Sequence, residues 1–555
     1  MRSLLAQRRT WSLVSLVVLA LAGMAVGSWV SAPSRAEESS VGQRPHVISV
    51  MNPPPKVLED ISAGRIPGFT MDSLRAVEAR AAALRAEQRS LAPLPETGPL
   101  PAVTGTRHPI TVLGDYTNRA HNAVSTPTSY NSMLFSVGTY SGGSLRDFYR
   151  ANSYNLFDAA GTVDSDWRGV GMATFAYANC DGIPGTPLKP GDDYGLGGYP
   201  CNVQAFVRDL VLAADAHVDF SLFAVGGEVQ DLWLVHAGQG AETNPNCHDC
   251  LWSLSGALGS YSVTVDGVKV DRFIIMPEYA SSPGDSTIGV FAHEYGHGLG
   301  QPDLYDTDYS SWGVGKWSLM ASGNWNGSPS GSSPAHLDAW SKSGLGWLTP
   351  TTRALPAPGT SIANAEQNSV AYKLPVAGPT TEYFLVENRQ LVSFDAALPG
   401  SGLLIYHIDE LASQTNDAHP KVMVEQADDS WHLQYYLEGN AGDAGDPWPG
   451  STSNRCFNKD SWPNSRAYSG SASGASVCNI SNSAMVMTAD LDGFAPHAPV
   501  GGMAKYPDVA RAPAGHQSAS SGSSDPPYAA LAGGLAAALA ALTAGALYAR
   551  RRGLR

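Results

Sequence analysis

The chain has 555 residues, which is enough for two or three domains with a large core. Only 15% of its residues are charged, while glycine (58) and proline (38) are abundant, a balance typical of extracellular, loop-rich proteins and not of cytosolic helical ones. The formal net charge of -15 and the lack of a basic stripe argue against nucleic acid as a partner.

The N-terminus has the pattern of an export signal. Arginines precede an apolar run from about Trp11 to Val30, and small residues follow up to Ala36. Residues 1–36 are therefore predicted to be a signal peptide that is cleaved after Ala36. An uncleaved membrane anchor is the alternative.

The next segment, residues 37–106, is predicted to contain one helix, from Ser73 to Leu91, followed by a proline-rich linker. Four apolar residues share one face of this helix: Leu74, Val77, Ala81 and Leu84. The segment has no cysteine. A larger domain is expected to begin at residue 107.

The segment from Ile288 to Leu299 has the pattern of a helix that carries a metal site. His293 and His297 are four residues apart, so they project from one helix face and can reach the same metal ion. Glu294 leaves the helix at a different angle, beside the metal, where it can take a proton from water. A solvated helix face that has this spacing by chance is the alternative.

Apolar residues recur at helical spacing on the other side of the same segment. They are Ile288, Phe291, Ala292, Tyr295 and Leu299. This stripe is expected to pack into a core, while the histidines face a cleft. Asp285, Ser286 and Thr287 are the candidates for the N-cap.

The residues after this helix suggest a third metal ligand. Gly300 lets the chain leave helical geometry and Pro302 prevents the helix from resuming, so Asp303 can turn back toward the metal. Asp306, or a carboxylate from elsewhere, is the alternative. His236 ends an apolar strand and is another candidate ligand, with a structural role as the alternative.

Metzincin peptidases have a glycine and a third ligand at these same offsets, although the ligand is usually histidine. The run from Lys316 to Trp325 is similar to their Met-turn, which would place Met320 under the metal, with an ordinary core methionine as the alternative. Trp312, Trp317 and Trp325 are expected either to line the cleft or to belong to the core.

Together these residues resemble the secreted immune inhibitor A-type zinc metallopeptidases, in blocks spread over about residues 108–490. The matching blocks are Gly143–Tyr149, Leu234–Glu242, His293–Asp306, Ala339–Trp347, Glu387–Arg389 and Leu398–Ile405. The family often has an acidic, Asp/Gly-rich stretch before the second block, a candidate for calcium. This chain has Phe220–Glu228 there, so calcium is not expected at that point.

The resemblance implies an α+β fold. It consists of a metzincin-like catalytic domain over residues 107–349, with a twisted mixed sheet of five strands and the active-site helix, followed by a β-rich part over residues 350–495. Residues 37–106 would then be the propeptide and linker of a zymogen. Since the segment lacks cysteine, a cysteine switch is excluded.

The implied activity is that of an exported endopeptidase acting on proteins or peptides. Zn²⁺ would be held by His293, His297 and Asp303, and Glu294 would be the general base. A catalytically silent surface binding protein on a peptidase fold is the alternative. Loss of Glu294 or of a histidine would have favoured that alternative, and all are present.

Six cysteines occur as local pairs: Cys180 with Cys201, Cys247 with Cys250, and Cys456 with Cys478. In an exported chain this even count predicts three disulfides, although fifteen pairings are formally possible. A second zinc site at Cys247 and Cys250 is the alternative for that pair. It would lack a second pair of ligands at suitable spacing.

Short apolar runs after Pro350 predict the strands of the β-rich part. They are Val370 to Leu374, Glu382 to Glu387, Gly402 to Ile408, Val422 to Glu425 and Ala484 to Leu491. Asp443 and Asp446 are candidates for a structural calcium site, with a solvated acidic loop as the alternative.

The C-terminus has the pattern of a membrane anchor. Residues 496–527 are predicted to be a flexible linker, and residues 528–549 are uncharged and just long enough to span a bilayer as one helix. The arginines of residues 550–555 would stay cytoplasmic and leave the rest outside the cell. Trimming of this tail, which would release a secreted protein, is the alternative.

Overall fold

The computed structural model describes residues 46–91, 101–179, 194–378, 380–436 and 439–494. Several predicted features lie outside the described residues. These are the signal peptide (1–36), the linker (496–527), the anchor segment (528–549), the tail (550–555) and Cys180.

The predicted fold class needs one correction, which concerns the single C-terminal transmembrane helix. Among the helices of the described residues, none is both long and apolar enough to cross a bilayer. The described part of the fold has mixed sheets with few helices, which fits a peptidase domain.

The main sheet has six strands. In spatial order they are β1 (Ser49–Val50), β9 (Leu254–Ala257), β12 (Arg272–Tyr279), β8 (Leu232–Gln239), β3 (Ile110–Asp115) and β5 (Thr162–Gly169). The last four are parallel, whereas β9 is antiparallel to β12 and β1 is antiparallel to β9. Strands β8 and β12 are almost continuously apolar because both of their faces are buried.

Eight α-helices accompany the sheets in the described part of the chain. They are α1 (Pro55–Ser62), α2 (Met71–Leu91), α3 (Pro127–Phe135), α4 (Leu145–Asn152), α5 (Phe175–Ala178), α6 (Val203–Ala214), α7 (Ile288–Gly298) and α8 (Ala339–Gly344). Helix α7 packs on β9 and β12. It is the helix that carries His293 and His297.

The remaining strands form four smaller sheets. Two of them precede the β-rich part: β6 (Ala224–Val225), β7 (Glu228–Val229), β10 (Val263–Val265) and β11 (Val268–Val270) in one, β2 (Gly105–Arg107) and β4 (Phe157–Ala159) in the other. The β-rich part has β13 (Thr351–Thr352), β15 (Tyr372–Pro375), β16 (Glu382–Arg389), β17 (Gly402–Asp409) and β18 (Val422–Val424) in one sheet, and β14 (Ala357–Ala363), β19 (Ser476–Cys478) and β20 (Val486–Asp492) in the other.

The β-rich part is joined to the catalytic region by a buried arginine at the end of β16. Arg389 Nε and Nη2 donate to the Asp395 carboxylate at 2.7 and 2.8 Å, and Nη1 donates to the backbone oxygen of Trp317 at 3.1 Å. Trp317 in turn donates its indole N–H to Asp446 at 2.9 Å. The β-rich part therefore completes the structure around the Met-turn.

The N-terminal region also belongs to this structure. Helix α2 begins two residues before the predicted start, and α1 was not predicted. Of the four residues on the predicted apolar face, Leu74, Val77 and Ala81 are buried in the main core, and Leu84 is half-buried against it. Residues 46–91 therefore pack on the catalytic region.

The described cysteines are all in disulfides. Cys247 is bonded to Cys250, and Cys456 is bonded to Cys478. Cys201 is also disulfide-bonded. Since Cys247 and Cys250 bond to each other, they do not form a second zinc site.

Candidate metal centre

Helix α7 holds the residues of the candidate metal centre in a fully buried position. His293, Glu294 and His297 have no exposed surface, and the five residues of the apolar stripe are buried as well. Thr287 occupies the N-cap, but its hydroxyl does not cap the helix and instead donates to the Ser330 oxygen at 2.8 Å, while Asp285 accepts from the backbone of residues 280–282. The histidine face was expected to line an open cleft, but it is covered.

Three ligand atoms converge at the end of this helix. The Nε2 atoms of His293 and His297 are 3.1 Å apart, and Asp303 Oδ1 lies 3.3 Å from the first and 3.2 Å from the second. These separations are close to the edge length, about 3.3 Å, of a tetrahedron of ligands at 2.0–2.1 Å from a zinc ion. In the described residues, this is the one His/Cys/Asp/Glu group with that convergence.

Backbone oxygens orient both imidazoles. His293 Nδ1 lies 2.9 Å from the oxygen of Leu319, and His297 Nδ1 lies 2.8 Å from the oxygen of Gln301. When each Nδ1 carries the proton and donates it to these oxygens, each Nε2 presents its lone pair to a cation. The sequence motif did not reveal these two partners, because they are main-chain atoms.

The carboxylates of the site are short of hydrogen-bond donors. Both oxygens of Glu294 and Oδ1 of Asp303 are buried without a hydrogen-bond partner. Burial raises the pKa of Glu294, and the carboxylates of Asp303, Glu242 and Glu78 raise it further. Burial opposes ionisation of Asp303 too, but the two imidazoles hold the pKa of Asp303 below its usual value. A divalent cation fits this donor set, because it satisfies the oxygens that no donor reaches.

Met320 packs directly under the helix. A Cβ atom added to Gly296 would lie 2.5 Å from Met320 Sδ, so only glycine allows this close approach. The Met320 oxygen accepts a hydrogen bond from the Leu304 backbone N–H at 2.7 Å. The Met-turn thus contacts both the helix and the chain that returns with Asp303.

Other candidate residues lie outside the cluster. His236 is buried in β8 near the rings of Tyr116 and Phe206, and burial lowers the pKa of His236 to about 3. Asp306 accepts hydrogen bonds from Ser310 and Ser311 within its own loop. Neither residue belongs to the group of ligand atoms around His293.

The remaining aromatic and acidic candidates are engaged elsewhere. Trp312 and Trp317 are core residues, whereas the indole N–H of Trp325 donates to the backbone oxygen of Asn52 at 3.0 Å. Asp443 lies 3.0 Å from a ring nitrogen of His432, and Asp446 accepts from Trp317. Calcium is therefore not shown at these two carboxylates.

The N-terminal region contributes groups that sequence motifs did not reveal. The Ser49 hydroxyl donates to Asp303 Oδ2, and the backbone N–H of Val47 donates to the His297 oxygen at 3.2 Å. Glu78 accepts from the Tyr305 hydroxyl at 2.9 Å, and burial, followed by the charge of Asp303, raises the pKa of Glu78 to about 8. Local spacing could not predict these contacts, because they join residues more than 200 positions apart.

Comparison with known proteins agrees with this geometry. Residues 202–348, which include α7 and the Met-turn, match the model of the immune inhibitor A peptidase M6 catalytic domain. This segment is an immune inhibitor A-type metallopeptidase domain. The resemblance inferred from sequence and the expectation of a metallopeptidase, a hydrolase, are confirmed at this level.

Two kinds of curated relative resemble this domain. The chain is 30% identical over 249 residues to the pre-pro-metalloprotease PrtV of Vibrio cholerae serotype O1, covering 39% of this chain and 26% of that protein. It is 31% identical over 188 residues to Immune inhibitor A of Bacillus thuringiensis subsp. alesti, covering 29% and 27%. The chain thus spans about a quarter of the length of each relative.

Proposed function

We propose that the chain is an exported zinc endopeptidase that hydrolyses peptide bonds in proteins. The observation that carries this proposal is the convergence of His293, His297 and Asp303 beside the unpartnered carboxylate of Glu294. The residues present fit zinc, since two imidazole nitrogens and one carboxylate oxygen are a common catalytic ligand set.

When bound, zinc would supply a Lewis acid that polarises the peptide carbonyl and lowers the pKa of water. Glu294 takes the proton from the attacking water and passes it to the leaving amine. Both oxygens of Glu294 lack a hydrogen-bond partner among the described residues, which leaves them available to accept this proton. The Leu319 and Gln301 oxygens keep the imidazoles in a fixed orientation.

We further propose that residues 46–91 belong to a propeptide that keeps the enzyme latent. Residues 47–52 cover the metal centre, and Ser49 binds the candidate ligand Asp303. The Vibrio cholerae relative is named a pre-pro-metalloprotease, which supports both a leader and a pro-segment. The disulfides support export, since such bonds persist in oxidising compartments.

Zinc content and casein hydrolysis of the full chain, before and after limited proteolysis, test this proposal. The wild-type protein should carry one zinc and become active after proteolysis. Glu294→Gln should retain the zinc and lose about 10²–10⁴-fold in activity, the range of general base catalysis. The same substitution at the exposed Glu410 is the control and should change neither quantity.

Two outcomes would contradict the proposal. A protein without zinc would refute the metal centre. A wild-type protein that holds zinc but hydrolyses no protein or peptide after proteolysis would favour the alternative, a silent binding protein on a peptidase fold.

A further inference from the structure

An extended N-terminal segment, residues 47–52, occupies the position where a peptide would add to the main sheet. Ser49 and Val50 pair antiparallel with Ser255 and Leu254 of β9, and the Met51 backbone N–H donates to the Ser253 oxygen at 2.9 Å. Without this segment, β9 would be an edge strand, which is a common place for an extended peptide to bind. The segment therefore indicates which groups hold a peptide beside the metal centre.

Two tryptophans from different parts of the chain donate hydrogen bonds to successive carbonyl oxygens of this segment. The indole N–H of Trp252, which precedes β9, donates to the Met51 oxygen at 2.6 Å. The indole N–H of Trp325, the last residue of the Met-turn-like run, donates to the Asn52 oxygen at 3.0 Å. Both tryptophans are buried. These two bonds involve only main-chain atoms of the segment.

Met51 and Asn52 also make contacts through their side chains, and these contacts depend on which residues they are. Asn324 Nδ2 donates to Met51 Sδ at 3.2 Å, and Asn52 Nδ2 donates to the Ser322 hydroxyl at 3.4 Å. A peptide of another sequence would lose these contacts but would still offer its carbonyl oxygens. In strand addition, main-chain bonds supply affinity and side-chain contacts supply specificity.

We propose that Trp252 and Trp325 are positioning residues that bind two successive carbonyl oxygens of an extended peptide substrate. The proposal rests on the proposed peptidase function and specifies how that site holds its substrate. Release of the N-terminal segment removes the carbonyl oxygens that accept from the two indole N–H groups. A substrate strand on β9 restores both acceptors and brings its backbone past the metal centre.

Trp252→Phe and Trp325→Phe test this proposal, because each keeps an aromatic ring and removes the N–H. Trp312→Phe is the matched control: Trp312 stacks on Tyr436, and its indole N–H has no hydrogen-bond partner among the described residues. After limited proteolysis of the full chain, we expect each test variant to lower kcat/KM for an extended peptide about 5-fold, mainly through KM. The control should leave it unchanged.

A short peptide that reaches neither tryptophan separates a positioning role from structural damage. The test variants should hydrolyse it as well as the wild type does, with the same zinc content. Equal losses on the short and extended peptides, or no loss on the extended one, would overturn the proposal. If one variant fails to fold, the other decides, since the two residues lie in different parts of the chain.

Hydrogen exchange in the unprocessed chain gives a readout that does not need turnover. The Met51 amide should exchange about 5-fold faster in Trp252→Phe and Trp325→Phe than in the wild type, and at the wild-type rate in Trp312→Phe. Unchanged exchange in both test variants would overturn the proposal. A wild-type protein without peptidase activity would refute the proposed function, and the exchange rates would still show whether the indoles hold an extended strand.

Discussion

Asp303 has a separate role for each of its carboxylate oxygens. Oδ1 faces the two imidazoles of the metal centre, while Oδ2 accepts from Ser49 of the N-terminal segment. The same carboxylate therefore contacts both the candidate ligands and the segment that covers them. Removal of the segment would take the Ser49 hydroxyl away from Oδ2.

Asp303→Ala should weaken zinc binding by at least about 100-fold. Loss of a residue that only hydrogen-bonds to a ligand typically costs about 10–100-fold in metal affinity, and Asp303 is itself a candidate ligand. Competition with a chromophoric chelator measures the affinity. Asp306→Asn is the control and should retain zinc, since Asp306 bonds within its own loop. Unchanged zinc affinity in Asp303→Ala would mean that the third ligand comes from elsewhere.

Gly296→Ala should destabilise the protein by about 1–3 kcal/mol, the usual cost of overpacking, because the new Cβ would lie 2.5 Å from Met320 Sδ. Gly298→Ala is the matched control on the same helix, since its Cβ would meet no atom closer than 3.4 Å. Urea unfolding measures both. If Gly296→Ala is as stable as Gly298→Ala, the contact between Met320 and the helix is not tight.

At the scale of elements, helix α7 shows which features a sequence pattern can predict. The histidine spacing and the apolar stripe follow from the helical repeat, so both were predictable. The N-cap was not, because Asp285, Ser286 and Thr287 all have suitable side chains, and the turn at residues 280–282 engages Asp285. Contacts outside the helix therefore determine which of the three residues is the N-cap.

The β-rich part contains a histidine that joins three strands. His407 of β17 lies 3.2 Å from Glu382 of β16 and 3.3 Å from Glu425, the residue that follows β18, and its ring stacks on Tyr468 at 4.0 Å. Burial acts to lower the pKa of His407, but the two carboxylates outweigh burial and raise it above its usual value. Protonated His407 thus stabilises the folded sheet.

The stability supplied by His407 should depend on pH in a defined direction. A raised folded pKa means that the contribution is fully present below the unfolded pKa, about 6.5, and is lost as pH rises through the folded value. The free energy of unfolding should therefore fall as the pH rises above about 6.5 in the wild type, and should fall less in His407→Gln. Parallel curves for the two proteins would show that His407 is not the group that titrates.

At the scale of the whole molecule, the N-terminal region, the catalytic region and the β-rich part share one main core. This arrangement was not predictable from local patterns, which located helix α7 and most strands of the β-rich part. The contact between Ser49 and Asp303 joins residues 254 positions apart, and neither residue carries a local signal of it. Hydrophobic periodicity reports which face is buried but not what covers it.

Arg389 is the residue on which the junction between the catalytic and β-rich parts depends. Arg389→Met should destabilise the protein by about 3–5 kcal/mol, because it leaves Asp395 buried without its charged partner. Arg466→Met, at an exposed arginine, is the control and should change stability by no more than about 0.5 kcal/mol. Chemical unfolding measures both; equal midpoints would show that the buried pair does not hold the two parts together.

The central claim is that His293, His297 and Asp303 hold a zinc ion beside Glu294. An anomalous difference map, recorded at the zinc absorption edge from crystals of the zinc-loaded full chain, tests it most directly. We predict one strong peak bounded by the Nε2 atoms of the two histidines and by Asp303 Oδ1. A strong peak elsewhere, or no peak among these three residues, would contradict the account.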